Sequence, residues 1–281
     1  MVKIIADSTC DLSKGLLEKY DISILPLHIL LGETEYLDGV NITPKEIYDW
    51  SDAHGATPKT SAPSRDAAAE LLKPYVDEGR EVVCFSISGE MSASGNVMRM
   101  AAEDLGAMNL VRIVDSANLS TGIGHLVIEA AVMAKDSMDA DTIVRRIEEL
   151  KPRVRASFVV DILTFLYRGG RCSGLAAMAG GVLRLHPKIL VEDGKMRPGK
   201  KYRGRLDKAV MAYVTDMEEE LKQAKKDRVF ITHSGCDREL VEAVRTYLIS
   251  LDHFDEVLET MAGGVISSHC GPGTLGVLYI A

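Results

Sequence analysis

The chain has 281 residues, 46% of them hydrophobic and 26% charged, enough for two ordinary domains and a substantial core without metal or disulfide staples. Lys and Arg number 33 against 41 Asp and Glu, a net charge of −8, and only five Phe, nine Tyr and one Trp are present, which argues against nucleic-acid binding by phosphate tracking or base stacking. No apolar run reaches the length of a membrane span and the opening MVKIIADST lacks a signal-peptide pattern, so a soluble, cytoplasmic protein is expected.

Residues 2–6 read as a short apolar strand that ends in Asp7-Ser8-Thr9. Ser13 is suited to cap a helix running to about Tyr20, and residues 22–31 form a second extended run. Thr43-Pro44-Lys45-Glu46 has the marks of a helix start: a capping hydroxyl, Pro at the first helical position, and Glu three residues after the cap. A polar loop over 57–64 feeds a helix that reaches Gly79. Residues 81–87 and 111–114 read as buried strands, each followed by a hydroxyl-rich loop and another helix. Repeated strand–loop–helix units of this kind predict an α/β unit over residues 1–153, a parallel sheet flanked by helices.

Beyond Lys151-Pro152-Arg153 the pattern changes. Residues 156–160 read as a strand, followed by a helical stretch to Tyr167, a Gly-Gly turn, and an Ala- and Gly-rich helix over 173–185 that Pro187 stops. Asp193-Gly194 between apolar flanks is a hairpin signal joining 189–192 to 195–197. A helix over 206–224, a strand over 228–232, a helix over 238–250 and strands over 256–260 and 276–280 complete an expected α+β unit, residues 154–281, with a mixed sheet.

Three loops after predicted strands are crowded with hydroxyls: Asp7-Ser8-Thr9, the stretch from Ser86 to Gly95, and the stretch from Asp115 to Thr121. Ligands bind open parallel sheets at that edge, and helix starts there offer N–H groups to an anion. Helix capping alone explains any one loop; three on one edge, with Thr60-Ser61, point to an anionic ligand held by hydroxyls and amides. Familiar catalytic signatures fail. Ser92 is not in G-x-S-x-G, Val127 spoils a dinucleotide fingerprint at Gly122, no P-loop occurs, and the seven His form no metal motif. The five cysteines are widely spaced and suggest neither disulfides nor zinc, although Cys172 or Cys270 could line a pocket. Tyr167-Arg168-Gly169-Gly170-Arg171 brings backbone and guanidinium donors together, and four glycines surround His269 in a predicted loop over 263–273.

These residues in this order resemble the DegV family, whose better understood members are the fatty-acid-binding subunits (FakB) of bacterial fatty acid kinase. The resemblance runs the length of the chain, through Asp7-Ser8, Asp38-Gly39, the segment 58–64, residues 87–94, Val114-Asp115-Ser116, Gly169-Gly170-Arg171, Lys195 and His269-Cys270-Gly271-Pro272-Gly273. It implies two α/β-type domains with a long-chain fatty acid buried between them and no further cofactor or metal. It also implies that Thr60, Ser61, Ser92 and His269 meet the carboxylate, that Arg171 lies near the headgroup, and that Arg203 docks an ATP-dependent kinase subunit that forms an acyl phosphate. Transient contact with a membrane surface belongs to the same picture. Departures are Ala62, Ala93 and Cys172, where the family usually has Gln, Gly and Ile; a displaced Ala93 loop would make Ser94 the contact instead of Ser92. Met91, Met98, Met100 and Met178 are suited to an adaptable acyl tunnel. The rival expectations are an esterase or acyl-transfer enzyme built on Ser92 and His269, and a ligand sensor without a kinase partner.

Overall fold

The computed structural model describes residues 1–172 and 185–281. The predicted helix over 173–185, with Met178, therefore lies outside the described residues except for Leu185, which begins a strand. In chain order the first half contains β1 (Lys3–Asp7), α1 (Lys14–Lys19), β2 (Ile22–Leu25), β3 (His28–Leu31), β4 (Thr34–Leu37), α2 (Pro44–His54), β5 (Lys59–Ser61), α3 (Arg65–Asp77), β6 (Val82–Ser86), α4 (Ser94–Asp104), β7 (Val111–Asp115), α5 (Thr121–Lys135) and α6 (Ala140–Leu150). The second contains β8 (Val154–Val159), α7 (Leu163–Gly169), β9 (Leu185–Glu192), β10 (Lys195–Arg203), α8 (Leu206–Thr215), α9 (Glu218–Leu221), β11 (Arg228–His233), α10 (Arg238–Ser250), β12 (Glu256–Met261), α11 (Gly264–Cys270) and β13 (Leu275–Ile280).

Strands β2-β1-β6-β7 form the expected parallel sheet. Every residue of β1 and β6 is buried, as strands covered on both faces require. Ala6, Val83 and Phe85 pack with Ile123 and Leu126 of α5, whereas Ile5 and Cys84 face Leu72 of α3 and Met98 of α4. The start of α2 is as predicted: the Thr43 N–H donates to Glu46 Oε2 at 2.8 Å, and the Glu46 N–H returns a bond to Thr43 Oγ1 at 3.4 Å. The extended run over 22–31 is instead two strands in two sheets. Pro26, which has no N–H to donate, separates them, and β3 pairs antiparallel with β4 and β5 in a small three-stranded sheet. β5 lies inside what reads as a polar loop, because among the described residues its strand partners come from β3 alone, and no apolar alternation marks it.

The second sheet, β10-β9-β8-β13-β11-β12, is mixed as predicted: β11 and β12 run parallel and the other pairs antiparallel. Asp193 and Gly194 take φ of 49° and 76°, the left-handed pair that a two-residue hairpin turn needs. The hairpin is longer than its sequence signal. Pro187, expected to end a helix, sits opposite Lys201 within β9, in a stretch where pairing with β8 has not yet begun and a missing N–H costs no ladder bond on that side. The helix predicted over 206–224 breaks between α8 and α9, where Asp216 turns toward β10 and accepts bonds from Lys200 Nζ at 2.5 Å and Tyr202 Oη at 2.7 Å.

Helix α5 is buried on nearly every side, which explains its lack of a polar face. It contacts β1 and β6 in the first sheet and β8 and β13 in the second. His125 on this helix is bonded through Nε2 to the Leu278 carbonyl at 3.0 Å. One apolar cluster consequently runs from Ile4 through α5 to Leu278 and Ile280.

Candidate functional site: an apolar pocket with polar groups in its lining

A pocket of about 250 Å³ opens where Ile87 and the loop after β6 meet β5, the turn of chain at Leu27, and α11. Its apolar walls include Leu27, Ile87, Met91, Leu119, Met196, Val265 and Ile266. Thr60, Ser61, Ser92, Arg171 and His269 also line it, so the fold brings together five of the six residues singled out in the sequence. Arg203 is elsewhere, exposed at the end of the edge strand β10. Leu27, Met196 and Ile266 had no distinguishing sequence signal, since a single apolar residue in a strand, turn or helix reads as core until its neighbours are known.

The predicted glycine-rich loop around His269 is a helix, α11, with Gly263 at its cap and Gly271 ending it at φ 74°. His269 Nε2 lies 2.8 Å from Thr60 Oγ1. Its Nδ1 is buried without a hydrogen-bond partner among the described residues and faces Gly169, where a Cβ would overlap it. Burial, reinforced by the Arg171 guanidinium, lowers the imidazole pKa to about 4, so the ring is neutral near pH 7. A proton on Nδ1 would leave a buried N–H donor unpaired, which is costly. The Nε2–H tautomer avoids this and donates to Thr60 Oγ1, leaving the Thr60 hydroxyl hydrogen free to point at a ligand.

Ser92 stands before α4, whose cap position, Ala93, makes no side-chain bond. Ser92 Oγ accepts from the Ser94 N–H at 3.3 Å, so its own hydrogen remains available to the pocket. Ala93 adopts φ −83° and ψ 8°, a conformation open to alanine, and the departure from glycine imposes no strain there. Ser94 is fully buried and does not line the pocket, which removes it as the alternative contact. The Ser92 loop is gripped by the β9–β10 turn: Ser88 Oγ donates to the Gly194 carbonyl at 2.7 Å and Lys195 pairs with Glu90 at 3.2 Å. Arg171 follows Gly170, which caps α7 at φ 67°, and donates through Nη1 to the Gly169 carbonyl at 2.7 Å. It is exposed at the pocket rim and forms no ion pair among the described residues.

The other two hydroxyl-rich loops hold the fold together instead of facing the pocket. Asp7 accepts from the N–H groups of Thr9 and Ile87, Ser120 Oγ donates to Asp11 at 2.5 Å, and Thr121 pairs with Thr232 at 2.6 Å. Of the third loop only Leu119 reaches the pocket. Cys270 lines it while Cys172 is buried, and burial pushes their thiols up to about 12 and about 11, which leaves both protonated and unreactive. Met91 lines the pocket, whereas Met98 is on the core-facing side of α4. Among the described residues, Ser92 and His269 share no hydrogen bond, and no acid orients His269 Nδ1, so the chain of nucleophile, base and orienting group is missing. No cluster of three or more His, Cys, Asp or Glu among the described residues is arranged to hold a metal, and no described helix is long and apolar enough to cross a membrane.

An apolar cavity lined also by hydroxyls, a neutral imidazole and a guanidinium marks an α/β protein with a pocket suited to a small amphipathic molecule. The chain belongs to the DegV family: the model for "Uncharacterised protein, DegV family" matches residues 1–281. It is 30% identical over 276 residues to a DegV domain-containing protein of Deinococcus radiodurans, with 98% of this chain and 97% of that protein covered. Among solved structures, a fatty-acid-binding DegV family protein from Thermus thermophilus is similar with a TM-score of 0.90 at 29% identity, covering 100% of this chain and 99% of that one. A stearic acid-binding protein from Eubacterium ventriosum is similar with a TM-score of 0.86 at 30% identity, covering 100% and 98%.

Proposed function

We propose that this protein binds one long-chain fatty acid, with the tail in the apolar pocket and the carboxylate at Thr60, Ser61, Ser92 and His269, near Arg171. The observation that carries this reading is that those groups line one otherwise apolar cavity, with Thr60 and His269 bonded to each other there. Burying even ten methylenes contributes about 8 kcal/mol at about 0.8 kcal/mol each, ample for retention. Desolvating the carboxylate opposes this and must be offset by hydrogen bonds, which the free hydroxyl hydrogens of Thr60 and Ser92 can supply. The fatty-acid-binding proteins similar to this chain over its whole length support the ligand class. Residues 1–153 act as the unit carrying the hydroxyl loops and residues 154–281 as the unit covering the acyl chain, with α11 of the second resting on α2, β3 and β5 of the first.

The protein is a carrier, not a stand-alone catalyst. It collects the fatty acid, by transient contact with a membrane surface, and presents the carboxylate to an ATP-dependent kinase partner for acyl-phosphate formation. Native mass spectrometry of the purified protein, followed by organic extraction, is expected to find a stoichiometric long-chain fatty acid that is lost on denaturation. A reproducibly empty protein that also fails to take up oleate or palmitate sinks the reading; turnover of a p-nitrophenyl ester with labelling of Ser92 would support the esterase instead.

Arg203 is the residue we assign to kinase docking. It is exposed on an edge strand and, among the described residues, has no ion-pair partner. Arg203→Ala is expected to keep its fatty acid and to lower acyl-phosphate formation with the cognate kinase. Loss of lipid in that variant would move Arg203 to the pocket.

A further inference from the structure

Asp38 and Asp11 are buried side by side under the start of α11, and neither is paired with a Lys, Arg or His among the described residues. Their carboxylates meet backbone instead. Asp11 Oδ1 accepts from the Gly263 N–H at 2.8 Å, and Asp38 Oδ1 accepts from the Gly264 N–H at 2.6 Å. Burial raises both acids above the usual carboxylate range, and the N–H groups at the helix start oppose that shift in part. The approach is close enough that a Cβ on Gly264 would lie 2.6 Å from Ile29 Cδ1 and 3.1 Å from Asp38 Oδ1. The second oxygen of Asp38 accepts from Ser8 Oγ at 2.8 Å; Ser8 Oγ in turn accepts from the Leu27 N–H at 3.1 Å, and the Asp38 N–H donates to the Leu27 carbonyl at 2.9 Å.

One side chain therefore ties two walls of the pocket. Leu27 forms part of one; α11 supplies Val265, Ile266 and His269 to the other. From Gly264 to His269 the helix rises only about 7.5 Å, so a displacement of its first turn is carried undamped to the imidazole. We propose that Asp38, with Asp11 beside it, is a positioning residue for the headgroup end of the pocket: it fixes α11 so that His269 meets Thr60, and through Ser8 it fixes Leu27. The binding arm of the test rests on the fatty-acid reading; the spectroscopic arm does not.

The test follows the His269 imidazole by NMR in the ligand-free protein and measures affinity for oleate and methyl oleate. Asp38→Ala is expected to shift the His269 resonances and raise its titration from about 4 toward the ordinary value near 6.5. It should weaken oleate at least tenfold and methyl oleate less than threefold. Asp38→Asn, which keeps an oxygen for the Gly264 N–H, should restore the His269 signal. If Asp38→Ala does not fold, Asp11→Ala removes the neighbouring tether and is read in the same way. An unchanged His269 signal, or equal weakening of both ligands, overturns the proposal. A wild type that binds no oleate removes the fatty-acid reading alone, since the His269 signal still decides the positioning role.

Discussion

Thr60→Ala is expected to weaken oleate binding by about ten- to a hundredfold while leaving methyl oleate nearly untouched, and Ser92→Ala to do the same. A hydrogen bond to a charged group contributes about 1.5–3 kcal/mol, and 1.4 kcal/mol is about tenfold in affinity. Thr60 is the more sensitive of the two, because its removal also leaves His269 Nε2 without the partner it has at 2.8 Å. Ser92 keeps its loop anchored through Ser88 and Gly194 even when the hydroxyl is gone. The ester separates the anion contact from packing damage, which would weaken both ligands alike. The double variant should lose less than the sum of the single losses, because both hydroxyls serve one carboxylate. Titration calorimetry with folded variants decides the matter; a Ser92→Ala protein that binds oleate as tightly as wild type removes Ser92 from the headgroup site.

Gly169→Ala has an effect opposite in sign to the one its local structure suggests. Gly169 is the last residue of α7, and alanine is favoured over glycine in a helix by about 1 kcal/mol. The added Cβ, however, would overlap His269 Nδ1. Overpacking of this kind costs about 1–3 kcal/mol, and relief requires the imidazole to turn away from Thr60. A lower melting temperature, with at least tenfold weaker oleate binding, is the expected result in a thermal scan and a ligand titration. An alanine variant that is more stable than wild type and binds oleate equally well would show that the His269 ring does not face Gly169.

The parts of the fold legible in the sequence are those decided within a few residues. The α2 start was readable because Thr43 and Glu46 satisfy each other's backbone three positions apart. The β9–β10 turn was readable because Asp193-Gly194 tolerates two positive φ values, and β1 and β6 because strands covered on both faces must be apolar throughout. The parallel sheet and the mixed sheet followed from such local signals. The site residues themselves were named by likeness to a family, since Thr60, Ser92, Arg171 and His269 each have an ordinary local explanation as a loop hydroxyl, a helix cap, a solvated cation and a loop histidine.

By itself, then, the amino-acid order determined the alternation of most elements and their caps and turns. Only the tertiary structure decided that β5 is a strand, that the glycines around His269 form α11, that two of the three hydroxyl loops are internal braces, and that Leu27, Met196 and Ile266 line one pocket. The physical reason is sequence separation. Thr60 and His269 are 209 residues apart, and the bond between them forms only after β5 pairs with β3 and α11 docks on Asp11 and Asp38. No local propensity encodes a contact whose energy appears only when both elements are already in place.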